Sequence, residues 1–232
     1  MYNNNLFVSL IHFKDNSKNG LPVFINRIYT EKINESKPMQ PIYTNEWLFY
    51  NLKKDGIPVP EKFILPKHIF MICKGLKEIN FDFYTQERGE WIVSEKFYNF
   101  IKSNHLFENL YDICKLTIQT TTGKKLGTKE YFLMRFIKDN DDLVDWENSP
   151  NTVSNRNTGI KFSFYEELVF YENKNIPAAM FFTKIAFKHS FVIKENIKEI
   201  IEKENFLGYD LYTLKDFIIE SQKRIDYFQI KK

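Results

Sequence analysis

The sequence predicts an α+β fold, a mixed and mainly antiparallel sheet with packed helices, and three observations carry that prediction. Trp91–Asn104 (WIVSEKFYNFIKSN) and Phe191–Glu204 (FVIKENIKEIIEKE) read as one strand-helix unit written twice, one hundred positions apart. β-rich runs bounded by turn signals recur along the rest of the chain. The 232 residues are 43% apolar and 17% aromatic, enough to fill a folded interior.

From the N-terminus, Leu6–Phe13 and Pro22–Tyr29 read as strands, and the intervening DNSKNG makes an N-terminal hairpin the expected pairing. A polar stretch near Glu31–Pro41 comes next, with NESKP as its turn signal. Asn45–Lys54 fits a short helix that must stop at Gly56, because Pro58 and Pro60 cannot continue it. His68–Cys73 and Ile79–Tyr84 read as strands that lead into the first repeat.

In both repeats the apolar residues after the strand fall at helical spacing: Phe97, Phe100 and Ile101, then Ile197, Ile200 and Ile201. All six are expected to be buried. Ser94 stands where a helix N-cap is needed, with Glu95 in the first turn. Ile113–Ile118 and Tyr131–Ile137 form a strand pair joined by QTTTGKKLGTKE, and Asp139–Thr158 reads as a long polar loop. Ile160–Phe164 and Glu167–Tyr171 read as strands, and Met180–Phe187 leads into the second repeat. Leu214, Phe217, Ile218, Ser221 and Ile225 mark a closing amphipathic helix. The expected organisation is a hairpin and helix region at residues 1–62 packed on a main body at 63–232.

Thirty-three basic against thirty acidic residues give a formal charge of +3, too near balance to imply a polyanion partner. The heavy use of Phe, Tyr, Ile, Asn and Lys is a bias that AT-rich coding produces by itself, so the aromatic excess does not indicate nucleic-acid stacking. Cys73 and Cys114 sit in apolar runs with no CxxC pairing, which predicts buried, reduced thiols. Together with an N-terminus lacking a basic and cleavable leader, this predicts a cytoplasmic protein without a membrane segment. The four histidines, His12, His68, His105 and His189, form no ligand spacing, so a metal could be held only if distant residues converge. GxGxxG, Walker and GxSxG patterns are all missing, which removes the usual sequence warrants for nucleotide cofactors and hydrolase chemistry. No cofactor is expected. Trp91 matches Phe191 in the repeat, which favours a core position over a ligand cage.

The strongest local anomaly is KDNDDLVDWENS. It concentrates Asp139, Asp141, Asp142, Asp145 and Glu147 around Trp146 with no base among them. A solvated acidic loop is one reading. A cation site is a second, although the glycine and spacing of a calcium loop are missing. The third is a protein-contact surface, in which carboxylates steer association and Trp146 anchors it.

FDFYTQERGEWIVSEKFYNFIKSN (Phe81–Asn104), YFLMRFIKDNDDLVDWENS (Tyr131–Ser149) and KHSFVIKENIKEII (Lys188–Ile201) resemble the immunity proteins of bacterial polymorphic-toxin systems, in particular families forty-three and eleven. The resemblance spans roughly Phe63–Tyr212. It implies a non-enzymatic inhibitor without cofactor that binds a cognate toxin domain. The acidic cluster around Trp146 would fill a basic cleft of that toxin and occlude its active site, and the near-balanced charge and short N-terminal apolar run leave nucleic acid and membrane out of the expected partners. The resemblance transfers no catalytic or binding residues. Two other readings stay open: a metal-dependent, nuclease-like enzyme using the acidic cluster, and a structural or assembly protein.

Overall fold

The structure is a computed structural model that describes residues 5–12, 20–22, 24–33, 36, 46–85, 90–155, 161–184, 187 and 190–230, with backbone alone at 153–155, 161–162 and 225–230. The DNSKNG turn apart from Gly20, most of the polar stretch with NESKP, His189 and the side chain of Ile225 lie outside these residues. Within them run strands β1 (Leu6–Ile11), β2 (Arg27–Thr30), β3 (His68–Cys73), β4 (Phe83–Thr85), β5 (Trp91–Ser94), β6 (Tyr111–Thr120), β7 (Tyr131–Phe136), β8 (Asn151–Asn155), β9 (Lys161–Tyr165), β10 (Ala179–Met180), β11 (Val192–Lys194) and β12 (Tyr209–Thr213). Helices are α1 (Leu52–Asp55), α2 (Glu95–Ser103), α3 (Glu195–Lys203) and α4 (Leu214–Ile230). The α+β class is as the sequence predicts.

Two compact units divide the chain, and each contains one repeat. The central unit holds residues 14–138 and 206–208; the terminal unit holds 1–13, 139–205 and 209–232.

In the central unit six strands lie in the order β2-β3-β6-β7-β5-β4. β5 and β6 each pair antiparallel with β7, which therefore separates the two strands that α2 connects. The sheet curls strongly. Although β2 and β4 are its two edges, the Ile25 N–H donates to the Tyr84 hydroxyl at 3.2 Å and Arg27, on β2, donates to Glu90 just ahead of β5. Curling wraps one face around a core of Ile69, Met71, Cys73, Cys114, Leu116 and Leu133 with Trp47. The other face carries Phe83, Trp91 and Phe136 in edge contact and is covered by α2. Trp91 is fully buried, the core position its repeat partner implied.

The terminal unit repeats this arrangement with strands in the order β10-β11-β1-β12. β11 and β12 each pair antiparallel with β1. The registers correspond row by row: Ile92, Leu133 and Cys114 lie side by side in one unit as Val192, Val8 and Tyr212 do in the other. β1 thus occupies the position of β7. Its partners lie far along the chain, which corrects the expected N-terminal hairpin: β2 pairs with β3 instead. Leu6, Val8 and Leu10 alternate inward with Met180, Val192 and Phe217, so the β1 period of two is satisfied only by this sheet.

Other expectations shift at element edges. Of the expected helix Asn45–Lys54, Asn45 lies outside the described residues and the rest is a 3-10 turn (Glu46–Phe49) followed by α1, split where Asn51 leaves helical backbone to cap Lys53 and Lys54. The polar loop after Asp139 contains β8, whose pairing with β9 a polar sequence did not reveal. Glu167–Tyr171 forms no strand beyond one bridge between Val144 and Phe170.

Phe97, Phe100, Ile101, Ile197 and Ile201 are buried as the helical spacing requires, but Ile200 is 40% exposed. The difference lies in the segment after each helix. Beyond α2, residues 105–110 bring Leu106 and Phe107 into the core, and Phe206 lies 5.3 Å from Phe100. Beyond α3 the chain reaches β12 in five residues, 204–208, of which the last three belong to the central unit. Gly208 is required there: its φ is +120°, and a Cβ would meet the Phe83 carbonyl oxygen at 2.1 Å.

Candidate functional site

The acidic turn is brought together as a single structure in the terminal unit, and most of its polar groups bond within that unit. Asp139 accepts from the Asp141 N–H at 3.1 Å. Asp141 accepts from both the N–H (2.9 Å) and the hydroxyl of Thr183. Asp145 accepts from the Asn148 backbone at 3.1 Å and its side-chain amide at 2.8 Å, bonds that hold the Asp145 carboxyl below the ordinary carboxylate range. Buried Asn140 adds a 2.9 Å bond from the Phe181 N–H. Ser149 closes the turn, donating to the Asp145 carbonyl at 2.6 Å and accepting from the Val169 N–H at 3.0 Å. These are Asx-type contacts that fix loop backbone.

Trp146 supports the turn from beneath. Its indole N–H donates to the Asp141 carbonyl at 2.8 Å, and its half-buried ring packs edge-on to Tyr165 at 5.0 Å and Phe182 at 5.5 Å. Lys184 lies over the ring at 5.2 Å. Burial, and then the Asp141 charge, pushes the Tyr165 phenol above its ordinary value. Asp142 and Glu147 are the exposed acids of the group, and Asp142 carries a 3.0 Å ion pair with Lys174. Among the described residues, no group of three or more His, Cys, Asp or Glu is arranged to hold a metal ion. No described helix is long and apolar enough to cross a membrane.

The cysteines are both free and buried, and burial pushes each thiol up to about 12. Two polar clusters of the central unit have no counterpart among the sequence expectations. Asp82, 4% exposed at its side chain, accepts from the Ser94 hydroxyl at 2.7 Å, the Lys129 ammonium at 2.8 Å and the Leu207 N–H at 3.0 Å. Arg135 pairs with Asp112, donates to the Trp47 carbonyl at 2.8 Å and lies 4.6 Å over the Tyr50 ring. Apart from the place of Ser94 at a helix start, sequence carries no signal for either cluster, because the partners are scattered.

Among known families, the model for "Immunity protein 43" matches residues 13–229. It supports the first of the two resemblances seen in the sequence; the likeness to family eleven finds no support. No curated protein matches the chain.

Proposed function

The chain belongs to the immunity protein 43 family, and from that premise we propose that it neutralises one cognate, cytoplasmic-acting toxin domain by binding it and occluding its active site. The family match over residues 13–229 carries this reading. Immunity proteins are typically non-enzymatic, and the chemistry of the acidic turn agrees: its carboxylates hold loop backbone rather than converging on a common point.

The contact surface we propose includes the acidic turn, Asp139, Asp141, Asp142, Asp145, Trp146 and Glu147, with exposed Asp142 and Glu147 at the front. Toxins that act on nucleic acid present basic clefts, which carboxylates on a pre-ordered turn attract without a large ordering cost. The cell is protected when the cleft is filled. Trp146 acts in this scheme through the turn it supports.

Co-expression with the toxin domain encoded beside this chain tests the function. Growth should be restored and the two proteins should co-purify one to one. Loss of growth in the presence of folded chain would defeat the immunity reading. Charge reversal at Asp142 and Glu147 should slow association and flatten its salt dependence; unchanged association kinetics would remove the turn from the interface.

A further inference from the structure

One segment of the terminal unit has a strand-forming sequence but only half of a strand's partners. Glu167–Tyr171 meets the acidic turn through the single bridge between Val144 and Phe170. Two bonds close that bridge: the Tyr171 N–H donates to the Leu143 carbonyl at 3.1 Å, and the Asp145 N–H donates to the Val169 carbonyl at 2.8 Å. In extended chain the backbone groups of successive residues point to opposite edges, so bonds from 169 and 171 to the turn direct the Phe170 N–H and carbonyl away from it. Leu168 has the same parity. Neither Leu168 nor Phe170 makes a backbone hydrogen bond among the described residues. This open edge forms one wall of a groove of about 1140 Å³. Residues 166–172 line the groove and Leu143, Val144 and Asp145 do not, which places it on the side that the free groups face. Its opposite wall is one end of the four-stranded sheet, with Leu6 at the start of β1, Lys194 at the end of β11 and Thr213 at the end of β12.

Edge, volume and charge together select the occupant. Unpaired N–H and C=O groups along a chain edge are matched by another main chain, and the groove is larger than the ~300–1,000 Å³ of ordinary small-molecule pockets. A second copy of this chain is a poor fit, because the edge is recessed and two like concave surfaces cannot reach into one another. Asp142 neutralises Lys174, which leaves Glu166, Glu167 and Glu172 against Lys194 and Lys215. Of these two bases, Lys194 already donates to the Ile176 carbonyl at 2.6 Å. The acids that remain suit a segment carrying basic side chains, and they guard the open edge against indiscriminate pairing. One wall is shared with the acidic turn, which ties the groove to the same partner.

We propose that the cognate toxin domain lays an extended segment bearing basic side chains into this groove, where its backbone pairs with Leu168 and Phe170 as an added strand. This rests on the immunity reading and deepens it. Glu167–Tyr171 then holds the acidic turn on one edge and the toxin on the other, so main-chain bonds supply affinity and the flanking glutamates supply selectivity.

The test uses the full chain and the purified toxin domain encoded beside it, with amide hydrogen exchange followed by NMR. In the free monomer the Phe170 amide should exchange as an unbonded site, faster than the Tyr171 amide that is bonded to Leu143. Saturating toxin should slow Phe170 exchange by about 10-fold or more. The double variant Glu167→Lys with Glu172→Lys, at two exposed positions, should weaken toxin binding about 10-fold in titration calorimetry with the melting temperature unchanged. Tight wild-type binding that leaves the Phe170 amide as fast as in the free chain overturns the strand addition and leaves the immunity reading standing. A Phe170 amide already slow in the free monomer overturns it as well. Slowing that follows the concentration of the chain alone, without toxin, overturns it and assigns the groove to a second copy. Unchanged affinity of the folded double variant overturns the basic character of the segment. No binding by the folded wild-type chain defeats the immunity reading and the groove proposal together.

Discussion

The two strand-helix-strand units share strand order and register, yet the strand at the centre of each comes from a different place in the chain. In the central unit it is β7, which succeeds β6 through a short connection; in the terminal unit it is β1, the first strand of the molecule. A sheet is specified by which apolar face a strand offers and in which register, and not by the order in which its strands are made. Local connectivity nevertheless sets what each unit depends on. The central unit closes its sheet within residues 27–136, while the terminal unit must bring Leu6–Ile11 to Tyr209–Thr213. Its loop-closure demand is greater.

Deleting residues 1–13 should give the largest effect. It removes the partner of both β11 and β12, so the terminal unit should lose its fold while the central unit keeps its own. The thiols report on this directly, because Cys73 and Cys114 both lie in the central unit and both are buried with ionisation pushed up to about 12. Native labelling at pH 8 should be negligible in the whole chain and stay so after the deletion. Labelling that rises as soon as β1 is lost would mean the units do not fold independently.

Core truncation should separate the two helices at matching positions. Phe100→Ala removes a buried ring and should destabilise by about 3–5 kcal/mol, and Ile201→Ala by about 2–5 kcal/mol. Ile200→Ala, at the repeat position of Phe100, should change stability by about 0.5 kcal/mol or less because the side chain is 40% exposed. Denaturant unfolding measures all three. A large loss at Ile200 would restore the equivalence that the sequence spacing suggests.

Such contrasts separate what a sequence can reveal from what only the fold decides. Strand-helix identity is legible in both copies because it depends on neighbours: a period of 3.6, and a Ser94 hydroxyl that accepts from the Phe97 N–H at 3.2 Å. Ile200 escapes that logic because spacing defines a helix face but says nothing of what covers it, and Phe206, which covers Phe100, lies far away in sequence. The expected hairpin fails for the same reason, since β1 and β2 are close in sequence and belong to different sheets. The acidic turn is legible as a cluster. That Thr183 and Lys174 engage Asp141 and Asp142, and that Trp146 packs against Phe182, depends on contacts more than thirty residues distant.

A smaller effect is expected at the helix starts. Ser94→Ala removes the N-cap of α2 and one donor to buried Asp82, and should destabilise by about 1–2 kcal/mol. Lys194 takes the equivalent position in α3 without a side-chain cap bond; its ammonium donates instead to the Ile176 carbonyl at 2.6 Å, so Lys194→Ala should cost about 0.5–1 kcal/mol, less than Ser94→Ala. Equal losses in thermal melts would show that the two helix starts are held alike.

The smallest effect is also the sharpest probe, because it concerns one residue type in one structural position. Asp112 and Asp210 are the second residues of β6 and β12, in matching rows of the two sheets. Their surroundings differ. Burial raises the Asp112 carboxyl above its ordinary value, although its pairing with Arg135 opposes this. Asp210 is lowered, first by its hydrogen bond with half-buried His12, which lies 3.3 Å away. The two therefore act on stability in opposite senses. For Asp112, whose folded value lies above its unfolded one, the contribution is fully present below the unfolded value of about 3.9 and is lost as pH rises through the folded value. For Asp210 the contribution is present above about 3.9 and is lost as pH falls through the lower folded value. Carboxyl-carbon NMR should find Asp112 titrating at higher pH than Asp210, and His12→Ala should move Asp210 upward while leaving Asp112 in place. If the two aspartates titrate together, equal position in the repeat outweighs the partners each unit supplies, and the contrast between the units ends at the level of packing.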